Sequence, residues 1–106
     1  MISQIVSILI AFVLVSEVTM PPVECIYEPT VPYTVTDIDL RYIPAICGKP
    51  KDRRILACTY MDINDIFMPK VDGKEITQEV YDAILIHEKG HVNCGDWHPN
   101  NLVKKN

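Results

Sequence analysis

The sequence predicts an α+β fold in which a small antiparallel sheet packs on one long helix, with a hydrophobic N-terminal segment ahead of both. Three observations carry that expectation. Short β-prone runs bounded by Pro and Gly fill the middle of the chain. One helical pattern, with start and stop signals, runs from Thr77 to Asn93. All 3 histidines fall between His87 and His98. At 106 residues there is room for one small domain, whose modest core benefits from cross-links.

In chain order, residues 1–16 carry no charged side chain and residues 5–15 are almost unbroken apolar, the length of a signal-peptide core. The stretch is short of the ~20 residues that cross a bilayer comfortably. Residues 1–20 are therefore expected to be a signal peptide or membrane anchor, so the protein is exported, periplasmic or secreted, with membrane association through this segment if it is retained. No Lys or Arg precedes the run and no clean small-x-small site follows it, which leaves cleavage and retention both open. A buried N-terminal helix or strand is the alternative.

Pro21, Pro22, Pro29 and Pro32 predict an extended arm over residues 21–32. The domain proper is expected over residues 33–106, with strands at residues 33–36, 40–43, 55–61 and 66–68 and a turn at Asp72-Gly73. Four cysteines in a short, exported chain read as a disulfide framework with three possible connectivities. Cys47 and Cys58 flank a loop rich in Pro, Lys and Arg, so a bridge between them is favoured. Cys25–Cys94 would then tie the arm to the helix end. Zinc-binding cysteines are disfavoured by the absence of C-x-x-C spacing.

The helix begins at Thr77, a good N-cap, with Glu79 in the first turn where its charge suits the dipole. Val80, Ile84, His87 and His91 form one stripe at helical spacing. His87-Glu88-Lys89-Gly90-His91 is a complete H-E-x-x-H, and residues four apart share a helix face, so two imidazoles can bind one ion. Solvated histidines paired with Glu75, Glu79 or Asp82 are the competing reading. Gly90 costs about 1 kcal/mol in a helix interior, which points to close approach by a neighbouring strand. His98 lies seven residues past His91, about 10 Å along a continued helix, so it returns to the ion only if the helix ends first. Asn93-Cys94-Gly95 supplies that ending and Pro99 prevents resumption. His98 is the expected third ligand; Asp96 and a reduced Cys94 are the alternatives.

This run resembles the zincin metallopeptidases, and more narrowly the metzincin pattern, in which H-E-x-x-H is followed by Gly and a third His. It is also similar to very small proteins of phages and conjugative elements that carry H-E-x-G-H-x-N-G-W and then His. The resemblance covers about a dozen residues, and Cys94, inserted between Asn93 and Gly95, departs from it. It implies one Zn²⁺ on His87, His91 and His98, with Glu88 as general base for water attacking a peptide or amide carbonyl. It also implies an edge strand for substrate, at Ile66-Phe67-Met68 or in residues 55–61. Tyr42, Tyr60 and Tyr81 are candidates to help stabilise the oxyanion, Tyr81 the least suited to face the ion. Trp97 reads as packing beneath the site.

The expected function is thus a zinc-dependent hydrolase, an exported monomeric metallopeptidase acting on a peptide or protein. The alternative is an exported binding or assembly protein with a structural or vestigial zinc site. Net charge is −4, which argues against nucleic acid as a partner. The one basic cluster, Lys49, Lys51, Arg53 and Arg54, reads as a solvated loop.

Overall fold

β-Branched and aromatic residues recur through Thr34–Ile38 (β1), Cys58–Tyr60 (β2) and Asp65–Pro69 (β3), and these three strands form the sheet of the computed structural model, which describes residues 18–98. The segment 1–17, where most of the expected signal or anchor falls, and the tail 99–106 lie outside the described residues. Strand order is β1-β3-β2. β2 pairs antiparallel with β3, Thr59 opposite Ile66, whereas β1 pairs parallel with β3, Val35 opposite Ile66. The expected antiparallel sheet is therefore mixed. The connection from Ile38 to Asp65 is long enough to carry the chain back for a parallel pairing.

Residues 40–43, expected as a strand, are instead helical: a 3₁₀ turn over Leu40–Tyr42 leads into the short helix Ile43–Cys47 (α1). Local chemistry decides it. The Asp39 carboxylate accepts the Arg41 N–H at 3.1 Å, and Pro44 sits in the first turn, where its missing N–H costs nothing. In residues 55–61 only Cys58–Tyr60 pairs as strand. At the turn, Asp72 Oδ1 accepts the N–H groups of Lys74 at 2.8 Å and Ile76 at 2.9 Å, which draws its carboxyl below the usual carboxylate range.

The long helix Gln78–Cys94 (α2) starts where the sequence places it, with the Thr77 hydroxyl accepting the Val80 N–H. Period-two alternation sorts the sheet's side chains onto its two faces. Ile66 and Met68 pack against α2 with Ile76, Val80 and Ile84, all of them buried. Cys58 and Phe67 pack on the other face with Ile43, Cys47 and Ile55 from α1 and its loop. The Cys47–Cys58 disulfide joins α1 to β2 within that second cluster, and the Cys25–Cys94 disulfide joins the arm to the end of α2. No cysteine is free, which fits an oxidising, extracytoplasmic setting. Among the described residues no helix is long and apolar enough to cross a membrane.

The proline-rich arm is less plain than expected, since it carries a 3₁₀ turn at Val23–Cys25. It is bound along α2 at several points. Asn93 Nδ2 donates to the carbonyls of Cys25 (2.9 Å) and Tyr27 (2.8 Å). Lys89 pairs with Glu28 at 2.6 Å, and Tyr33 donates to the same carboxylate.

Candidate metal centre

On α2 the buried stripe continues from Val80 and Ile84 into His87 and His91, and Glu88, about 100° further round, turns toward the sheet. Gly95 ends the helix with φ 67°, and its N–H donates to the His91 carbonyl at 2.8 Å. A residue with a Cβ rarely adopts that conformation, so the position suits glycine. The reversal brings Trp97 and His98 back over the helix end. His87, His91 and His98 each offer a ligand atom, and these atoms lie within 4.8 Å of one another. They can hold a metal ion.

Hydrogen bonds aim the rings. His91 Nδ1 donates to the Gly95 carbonyl at 2.8 Å, and His87 Nδ1 donates to the Thr19 carbonyl. Both rings therefore keep their Nε2 lone pairs for a ligand role, the tautomer a metal-binding histidine needs. His98 Nε2 lies 3.2 Å from His91 Nε2. Two nitrogens at about 2.0–2.1 Å from one tetrahedral ion are separated by about 3.3 Å, so this pair already has coordination spacing. Burial, opposed by the Gly95 hydrogen bond, pushes His91 down to about 4, so it is a neutral donor at physiological pH.

Trp97 backs all three rings, as its expected packing role requires. It stacks on His91 (centroids 5.2 Å, 20° between planes) and on His98 (4.3 Å, 29°), and meets His87 edge-on at 4.9 Å. Of the alternative third ligands, Cys94 is consumed by its disulfide and Asp96 is not among the clustered ligand groups.

Glu88 is 1% exposed, and its Oε1 accepts the Thr59 hydroxyl at 2.8 Å while Oε2 lies 3.9 Å from His87 Nε2. Burial pushes its carboxyl up to about 8, with the Thr59 bond pulling the other way. The carboxyl sits beside the imidazoles, at the floor of a cleft of about 280 Å³. Val18 and Thr19 line one part of this cleft, residues 53–57 another, and Ile84, His87, Glu88 and His98 the rest.

Several expectations about the surroundings change. The close neighbour of Gly90 is not a strand: a Cβ there would lie 2.5 Å from Pro21 Cγ and 2.9 Å from Trp97 Nε1. None of the tyrosine candidates lines the cleft. Tyr60 donates to the Ile46 carbonyl at 2.6 Å, Tyr81 donates to Asp37 at 2.7 Å, and Tyr42 is largely exposed. Ile66-Phe67-Met68 is the central strand, paired on both sides, so it cannot offer an edge to substrate. Arg53 and Arg54 are exposed but also line the cleft, a placement that charge spacing did not reveal.

Thr59 and Thr19 are the neighbours of the cluster that sequence reasoning missed. Strand alternation could have put Thr59 on a sheet face opposite Cys58, but nothing local shows which helix residue it meets. The Thr19 carbonyl carries no side-chain signal at all. The chain matches no protein-family model, no curated protein and no solved structure.

Proposed function

We propose that this protein is a zinc-dependent hydrolase, a small exported metallopeptidase that cleaves a peptide or amide bond. One observation carries the reading. A fully buried carboxyl group, Glu88, is held by Thr59 beside three convergent imidazoles and faces an open cleft. A purely structural ion has no use for such a group, whose burial must be offset.

The donor set suits Zn²⁺: three neutral nitrogen ligands with one position left for solvent or substrate are a common catalytic arrangement. When bound there, the ion supplies Lewis acidity, brings a coordinated water toward a pKa of about 7, and favours the ionised form of Glu88. Glu88 takes one proton from water as the water oxygen adds to the carbonyl carbon. It returns that proton to the leaving nitrogen as the C–N bond breaks, which regenerates the carboxylate. Thr59 fixes one carboxyl oxygen and leaves the other for this exchange. Trp97 and the carbonyls of Thr19 and Gly95 keep the rings in place throughout.

The test is metal analysis and peptide hydrolysis on the oxidised chain. Wild type is expected to hold one zinc, His87→Ala and His91→Ala to lose it, and His98→Ala to bind it more weakly. Glu88→Gln should keep zinc and fold while hydrolysis falls by about 10²–10⁴-fold, the usual worth of general-base catalysis. Equal biological activity of Glu88→Gln and wild type would refute the enzyme and leave a binding or assembly role.

A further inference from the structure

The basic loop has a fixed place relative to the candidate site. Residues 48–57 are anchored at both ends, because Cys47 and Cys58 are joined by a disulfide. Within the loop, Ile55 is buried in the core and Arg54 forms an ion pair with Glu75. Arg53 is thereby set at the cleft that contains His87, Glu88 and His98. Among the described residues it has no ion-pair partner.

A second groove begins where the first ends, sharing Arg53, Arg54 and Ile55 and adding Lys49, Lys51 and Arg41. Three acidic groups also line it. Asp39 lies 3.4 Å from Arg41, and Asp72 stays ionised while it accepts backbone N–H groups, so Asp39, Asp52 and Asp72 stand against Arg41, Lys49, Lys51, Arg53 and Arg54. The local balance is positive in a chain whose net charge is −4. Inside the metal cleft the one carboxyl is Glu88, at its floor.

We propose that Arg53 forms an anion subsite for the substrate, so that the chain selects polypeptides with an acidic residue on one side of the scissile bond. Lys49 and Lys51 extend the same preference along the second groove. This rests on the peptidase reading for the bond cleaved, but the charge preference is readable by binding alone. A guanidinium at a cleft wall donates paired hydrogen bonds to a carboxylate, and the partly enclosed setting strengthens them over the same contact in bulk water. A neutral residue at that substrate position would leave Arg53 hydrated and gain nothing.

The experiment uses the zinc-loaded, disulfide-bonded chain and two peptide series, identical except for Asp or Glu against Asn or Gln at successive positions flanking one bond. Affinity is measured on Glu88→Gln and kcat/KM on wild type. At one position the acidic peptide should be preferred by about tenfold, as expected for a charge-assisted contact, and the preference should shrink as salt is raised. Arg53→Ala should remove most of that preference and Arg53→Glu should invert it. Lys70→Ala, at an exposed position that lines neither cleft nor groove, should leave it intact. Equal use of acidic and neutral peptides, or a preference that survives Arg53→Glu, would overturn the subsite while leaving hydrolysis standing. Arg53-dependent preference without any cleavage would support the subsite and count against the peptidase. Equally tight Arg53-dependent binding of a short oligonucleotide would overturn the assignment to acidic peptides.

Discussion

Glu88 shows how one residue's setting determines what it can do. A carboxyl at 1% exposure is expensive to bury, and Thr59 provides it with a side-chain hydrogen bond. Thr59→Val keeps the shape and removes the donor, leaving a buried acceptor unsatisfied. We expect a loss of about 1–3 kcal/mol in urea unfolding, with zinc content unchanged and hydrolysis reduced. In the Glu88→Gln background the same substitution should cost a different amount, because the two side chains interact directly. Additive effects in that cycle would mean that Thr59 and Glu88 do not support one another.

At the scale of elements, α2 is held from outside as much as from the sheet. Gly90 leaves room for Pro21 and Trp97, and Trp97 in turn backs the imidazoles. Gly90→Ala therefore sets two effects against each other. Better helix propensity would add about 1 kcal/mol, but the new methyl would sit 2.5 Å from a buried proline ring and 2.9 Å from the indole. Overpacking of this kind costs about 1–3 kcal/mol, so the expected outcome is a lower melting temperature together with weaker zinc binding. A variant more stable than wild type, with full zinc affinity, would show that the arm does not press on the helix.

Across the whole molecule the two disulfides have different tasks. Cys25–Cys94 spans 69 residues and Cys47–Cys58 spans 11, so chain entropy assigns the longer link about 4 kcal/mol and the shorter about 3. The longer link also fixes the arm that supplies Pro21 and continues from Thr19, whose carbonyl meets His87, whereas the shorter fixes the basic loop and α1. Replacing Cys25 and Cys94 together by Ser should lower both the unfolding midpoint and zinc affinity. Replacing Cys47 and Cys58 should lower the midpoint while zinc affinity stays near wild type. Denaturation followed by metal titration of both double variants checks this, and identical metal binding in the two would contradict the division.

The sequence by itself determined the features that depend on near neighbours. Thr77 caps α2, Gly95 ends it, the four-residue spacing puts His87 and His91 on one face, and Asp72-Gly73 makes its turn, because each rests on local backbone chemistry. The return of His98 was legible for the same reason, as was the pairing of cysteines at the ends of one short loop. Residues 40–43 were decided locally too: their composition is β-prone, yet the Asp39 cap and Pro44 make them helical. Tertiary structure decided the rest. Strand periodicity could say that the runs pair, but it carries no information about order or direction, so the parallel β1–β3 pairing was out of its reach. Thr59 on Glu88, the Thr19 carbonyl on His87, Pro21 against Gly90 and Arg53 at the cleft join residues distant in the chain. Such contacts follow from how the packed layers enclose one another, which no local spacing records.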